Sequence, residues 1–153
     1  MPGATDWNAV GRIRDTVSVP TVLHGVMTPE DAERAIGLGV GALVVSNHGG
    51  IAGAGGVAPI EVFSSISDAV SARVPILIDG SFRRGTDILK GLALGARAVL
   101  VGRAPMWGLA AYGAIGVQTV LELLQTELAR NMAASGRPKI EMIDPSLVRW
   151  DSR

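Results

Sequence analysis

At 153 residues the chain has the length of one domain, with 48% hydrophobic residues, 18% charged residues, and 14 basic side chains against 14 acidic ones. That composition excludes a disordered chain, and the even charge gives no electrostatic drive toward nucleic acid or an anionic membrane surface. Cysteine is absent, which excludes disulfides and thiolate-held metals.

The opening MPGATDWNAV lacks a charged start followed by an apolar run, so no signal peptide is expected. No apolar stretch reaches about 18 residues without a charge or a glycine–proline break, so no membrane span is expected either. A soluble, cytoplasmic protein follows as the expectation.

Along the chain one pattern recurs: a short β-branched run, a polar or glycine loop, then an alanine- and leucine-rich helical segment. The first run is Val19 to Leu23. Thr28 then caps a helix that has Pro29 at its first position, acidic residues in its first turn and a stop at Gly37 to Gly39. The second run, Ala42 to Val45, leads into the loop SNHGGIAGAGG and a helix from about Ile60 to Val70. The third, Val74 to Asp79, precedes a helix over Gly85 to Gly95 with Thr86 as its candidate cap. The fourth, Arg97 to Gly102, is followed by a short apolar segment at Pro105 to Ala111 and a long helix from about Gly116 to Ala134. The tail from Pro138 reads as irregular.

The strands are nearly continuous apolar runs, the pattern of a parallel α/β sheet buried on both faces. A βα-barrel and a doubly wound sheet both fit. The unit length matches a (β/α)8 barrel, which needs about 250 residues to close, so four units make half of one.

Polar residues gather at the C-terminal ends of these strands, where parallel α/β folds bind ligands. They are His24, then Ser46, Asn47 and His48, then Asp79, then Gly102 and Arg103. DGSFRRG places a carboxylate, a tight turn and two arginines at a helix start, and VGRAP repeats the logic one strand later. Backbone N–H groups and guanidinium groups there form a phosphate cradle. There are no paired carboxylates at this rim, no metal-ligand spacing and no serine triad. Arg12, Arg14, Arg34 and Arg73 read as solvated, and Met106, Trp107 and Tyr112 as packing residues.

SNHGG, DGSFRRGTD, LALGARAVLVGR and IDPSLVRW in this order resemble the FMN-dependent α-hydroxy-acid dehydrogenases and oxidases of the lactate, glycolate and mandelate type. The resemblance runs from about Asp6 to Trp150 and covers the C-terminal half of that family's TIM barrel, strands five to eight plus a C-terminal helix and tail. The chain is thus expected to be a single domain, 1–153, with FMN as cofactor and a small 2-hydroxy acid as substrate.

The resemblance implies roles. His48 matches the base that takes a proton from the 2-hydroxy acid, and Ser46 a serine near the flavin. Asp79, Gly80, Ser81, Phe82 and Arg83 match the segment that holds the ribityl chain and phosphate. Gly102 and Arg103 match the second phosphate contact. His24 stands where the family has a lysine near flavin N1, and imidazole changes charge near neutral pH. Ile51 stands where the family has an arginine that pairs with the substrate carboxylate. Ala52, Gly53 and Ala54 replace the usual Gln-Leu-Asp, and Ser81 replaces a glycine. A half-barrel leaves apolar edges to be covered by another copy, a companion half-barrel or a further segment. The alternative is a non-catalytic half-barrel that binds flavin or phosphate, or assembles with itself, without turnover.

Overall fold

The computed structural model describes residues 6–51 and 56–149. Helix α1 (Trp7–Thr16) leads into four units: β1 (Val22–Val26) with α2 (Pro29–Gly37), β2 (Ala42–Val45) with α3 (Pro59–Val70), β3 (Ile76–Asp79) with α4 (Gly85–Ala93), and β4 (Ala98–Leu100) with α5 (Arg103–Ala134). All strand pairs are parallel and the order is β1-β2-β3-β4. A doubly wound sheet needs a reversal of strand order. This sheet has none, so the barrel-type reading holds and the doubly wound one falls.

Local chemistry sets the helix starts. Thr28 Oγ1 accepts from Asp31 N at 3.1 Å, as expected of a cap, with Pro29 opening α2. For α4 the expected cap at Thr86 is replaced: Asp87 Oδ2 accepts from Arg83 N at 3.0 Å and Arg84 N at 2.9 Å. A carboxylate one turn into the helix reaches back to the free N–H groups, and the helix starts at Gly85 as expected. Helix α1 has no counterpart in the expected elements. Asp6 caps it through Ala9 N at 2.7 Å, but it buries no residue fully, and a weak apolar stripe gives the sequence little to show.

Strand β1 begins at Val22, three residues later than expected. Pro20 lacks an N–H to give to a ladder, and Gly41 N instead bonds Thr21 O ahead of the register Val22↔Ala42. His24 therefore lies within β1, not beyond it.

The core lies between the sheet and α2 and α3, with Leu43, Val45, Phe63, Ile66, Val70 and Ile78 fully enclosed. Burial on both faces, expected of every strand, is complete only in β2. In β3 it alternates, because Ile76 and Ile78 face the helices while Leu77 and Asp79 face the half-open concave side. Edge strands β1 and β4 are half-buried.

Helix α5 is long and apolar enough to cross a membrane by length and composition. It is not one rod. Tyr112 (φ −142°, ψ 17°) and Gly113 (φ 63°, ψ −144°) break it, and the chain reverses. The expected segment near 105–111 and long helix to 134 are its two arms. Small buried residues Ala104, Gly108 and Gly116 form the seam between them, so larger neighbours turn outward. Met106 (60% exposed) and Trp107 (53%) therefore do not pack under the last strand, and Tyr112 (79%) is not a packing residue, contrary to expectation.

Glu127 on the second arm anchors α4. Its carboxylate accepts from Arg84 Nε at 3.0 Å and Gly85 N at 2.8 Å. The hydrogen bond from Arg84 and then that from Gly85 hold its pKa below the ordinary glutamate value. A lowered pKa contributes stability that is present above the ordinary value and lost as pH falls through the lowered one. Glu127→Gln is thus expected to unfold at lower urea than wild type at neutral pH and to show a flatter decline on acidification. Urea midpoints measured across that range check this; parallel curves would remove Glu127 from the acid response.

Candidate active site at the C-terminal rim of the strands

The rim residues meet through one hydrogen-bonded chain. Ser46, buried at the end of β2, donates from Oγ to Asp79 Oδ2 at 2.9 Å and accepts from His48 N at 3.1 Å. His24 Nε2 on β1 lies 3.4 Å from the same Asp79 oxygen. The His24 and His48 rings lie 4.7 Å apart, tilted by 55°. Three adjacent strands thus bring two imidazoles and one carboxylate together. Ser46 is enclosed and its hydroxyl fully engaged, so it ties Asp79 to the His48 backbone.

His48 itself is exposed and left-handed (φ 52°), in a 3-10 turn, His48–Gly50, capped by Asn47 Oδ1 through Gly50 N at 3.0 Å. Its position depends on Gly25, which the sequence reading did not single out. Gly25 has φ +100°, the strand register slips between His24 and Val26, and a Cβ there would lie 2.7 Å from His48 Nε2. The expected run ended at Leu23, so only the strand as it folds, Val22–Val26, places a glycine inside it, which often marks a bulge or a close approach.

A cavity of about 400 Å³ is lined by His48, Ile51, Asp79, Gly80 to Arg83, Gly102 and Arg103. A neighbouring one of about 460 Å³ shares Gly80, Ser81, Phe82 and Arg103 and adds Asn47, Asp87 and Lys90. Phe82 turns its ring into the core against Gly91, so only its outer edge and backbone face a ligand. Gly102 has open space around it.

The arginines divide. Arg84, expected at the cradle, is drawn to Glu127 at 2.9 Å. Arg83 lies over the Trp107 ring at 5.0 Å, and Arg103 Nη2 donates to Ser81 Oγ at 2.9 Å. Neither has a carboxylate partner among the described residues. Two exposed guanidinium groups with unspent charge therefore border the cavity that holds His48. Ile51 is 90% exposed, and the positions 52–54 singled out beside it lie outside the described residues. A larger concavity of about 590 Å³ at the opposite end of the strands has no histidine or aspartate in its wall.

Known proteins resemble the chain in sequence and in fold. The chain is 45% identical over 143 residues to 2-hydroxyacid oxidase 1 of Mus musculus, covering 94% of this chain and 39% of that protein. It is 43% identical over 145 residues to L-lactate oxidase of a Nostoc species, covering 95% and 40%. The crystal structure of a soluble mutant of the membrane-associated (S)-mandelate dehydrogenase from Pseudomonas putida superposes with a TM-score of 0.89 at 40% identity, over 95% of this chain and 41% of that one. The chain thus spans about two fifths of the length of the relatives it matches. The family pattern of the FMN-dependent dehydrogenases matches residues 1–150, and the chain belongs to that family.

Proposed function

We propose that this chain is the base-bearing, phosphate-holding half of an FMN-dependent oxidoreductase that converts the CH–OH group of a 2-hydroxy acid to a carbonyl. The observation that carries this reading is one cavity whose wall holds His48 together with Arg83 and Arg103, neither of which has a carboxylate partner among the described residues. The residues present fit FMN: two cations and open backbone at Gly102 suit a phosphate, and Asp79 beside them suits a polyol chain.

In this reading Gly80, Ser81, Arg83, Gly102 and Arg103 hold the phosphate, and Phe82 fixes the turn that presents them. Asp79 faces the ribityl hydroxyls, and His24 faces the flavin ring. His48 takes the proton from the substrate hydroxyl. Bound FMN supplies the two-electron acceptor. Ser46 holds Asp79 and the His48 backbone in fixed relation. The relatives' names support the substrate class, since they include 2-hydroxyacid and lactate oxidases. Ile51 offers no hydrogen bond to a substrate carboxylate, so the carboxylate is held by another group.

The open edges at β1 and β4 support a companion: four further βα units, in the same polypeptide or another, close the barrel. The same edges favour a second reading in which the chain alone binds flavin without turnover. Titration of the chain with FMN, followed by anaerobic mixing with glycolate, lactate or mandelate, separates them. Quenched flavin fluorescence with bleaching on mixing is expected for the oxidoreductase. Quenching alone supports the second reading, and no quenching removes both.

A further inference from the structure

Ser81 carries a backbone that serine does not favour. Its φ is +61°, in the left-handed region where a Cβ meets the neighbouring carbonyl and glycine pays no such penalty. It follows Gly80 (φ +129°), whose own Cβ would lie 2.9 Å from Pro59, so the turn is set by the packing of the loop against α3 and not by Ser81. A side chain held in such a conformation is expected to serve the site. Ser81 is exposed and packs no core, and among the described residues its one side-chain hydrogen bond is the one that its Oγ accepts from Arg103 Nη2 at 2.9 Å.

We propose that Ser81 is a positioning residue for an anion-binding arginine: it holds the Arg103 guanidinium over the cavity while leaving its charge available to a phosphate monoester. The inference rests on the phosphate-holding role given above to this rim. The chemistry of the three neighbouring arginines supports it. Arg84 is held by a carboxylate, and its charge is spent on Glu127. Arg83 is held by an aromatic face and Arg103 by a hydroxyl, both uncharged partners. A neutral partner fixes the fork without competing for the anion. A free arginine loses much rotamer freedom when it grips a ligand. One already oriented loses less at the moment of binding, which raises affinity without a new contact to the ligand.

Two substitutions separate this role from a structural one. Ser81→Gly removes the hydroxyl and relieves the backbone; Ser81→Ala removes the hydroxyl and keeps the strain. Both are expected to weaken FMN binding about three- to tenfold, the cost of ordering one arginine side chain at the moment of binding, and to leave riboflavin, which has no phosphate, unchanged. Thermal midpoints are expected to move apart: Ser81→Gly rises by about 2–4 °C while Ser81→Ala stays at or below wild type. A purely structural role would make FMN and riboflavin affinity follow the midpoint. The inference is overturned if wild type prefers FMN to riboflavin and both variants keep the full preference. If wild type shows no preference for FMN, the phosphate-holding role fails and the inference goes with it.

Discussion

Gly116→Ala is expected to destabilise the chain by about 3 kcal/mol or more, the upper range for forcing extra volume into a close-packed seam. The reversal of α5 brings the backbones of its two arms into contact. A Cβ at Gly116 would lie 2.0 Å from Gly108 O and 2.6 Å from Gly108 C. One at Gly108 would lie 2.4 Å from Gly116 O. Both obstacles are backbone atoms, so no rotamer change relieves either clash. The arms must separate, which strips cover from Leu124 and pulls Glu127 away from Arg84 and Gly85. Against a total stability of about 5–15 kcal/mol such a loss is a large share. Gly37→Ala is the control. It ends α2, nothing lies within 4 Å of its Cβ, and exchange there is expected to be neutral or stabilising by up to about 1 kcal/mol. Urea midpoints of the two variants measure the contrast. Equal midpoints would mean that the arms do not touch at this seam.

The same seam explains one limit of the sequence reading. Pro105 to Ala111 and Gly116 to Ala134 were legible as two segments, because Gly113 and Gly116 interrupt the run. What faced inward was not. Hydrophobicity points to Trp107, Met106 and Tyr112 as the packed residues, yet close backbone contact selects the smallest side chains for the interior. Trp107 instead gives its face to the Arg83 guanidinium, a contact that no spacing rule joins. Arg84 shows the same limit: adjacent to Arg83 and identical in chemistry, it is drawn away by Glu127, a partner 43 positions along the chain.

The rim itself was legible, because strand ends in a parallel sheet fall on one side whatever the tertiary detail. His24, Ser46, His48 and Asp79 arrive at the same place from three strands, although a shifted start puts His24 inside β1. Gly25 was the missing part. Its meaning depends on a side chain that reaches it from the next loop, and a lone glycine in a strand carries only the general warning of a bulge.

His48→Gln is expected to slow bleaching of the bound flavin by a 2-hydroxy acid by roughly 10²–10⁴-fold, the usual contribution of a positioned general base. FMN affinity is expected to stay near wild type, since Arg83 and Arg103, proposed to hold the phosphate, are left in place. Gly25→Ala tests how the base is held. The added Cβ would sit 2.7 Å from His48 Nε2, and because that atom ends a mobile side chain, the ring moves and the fold survives. The backbone at φ +100° adds a loss of about 1–2 kcal/mol in stability. A base displaced by about 1 Å loses rate by roughly 10²-fold. The decisive comparison is the double variant. If Gly25 acts through the imidazole, Gly25→Ala adds little further loss once His48 is glutamine, a coupling visible in a double-mutant cycle. Full additivity would give Gly25 a separate role. Wild-type bleaching by His48→Gln would move the proton acceptor elsewhere, and His24, 4.7 Å away across the ring pair and beside Asp79, is the group to substitute next.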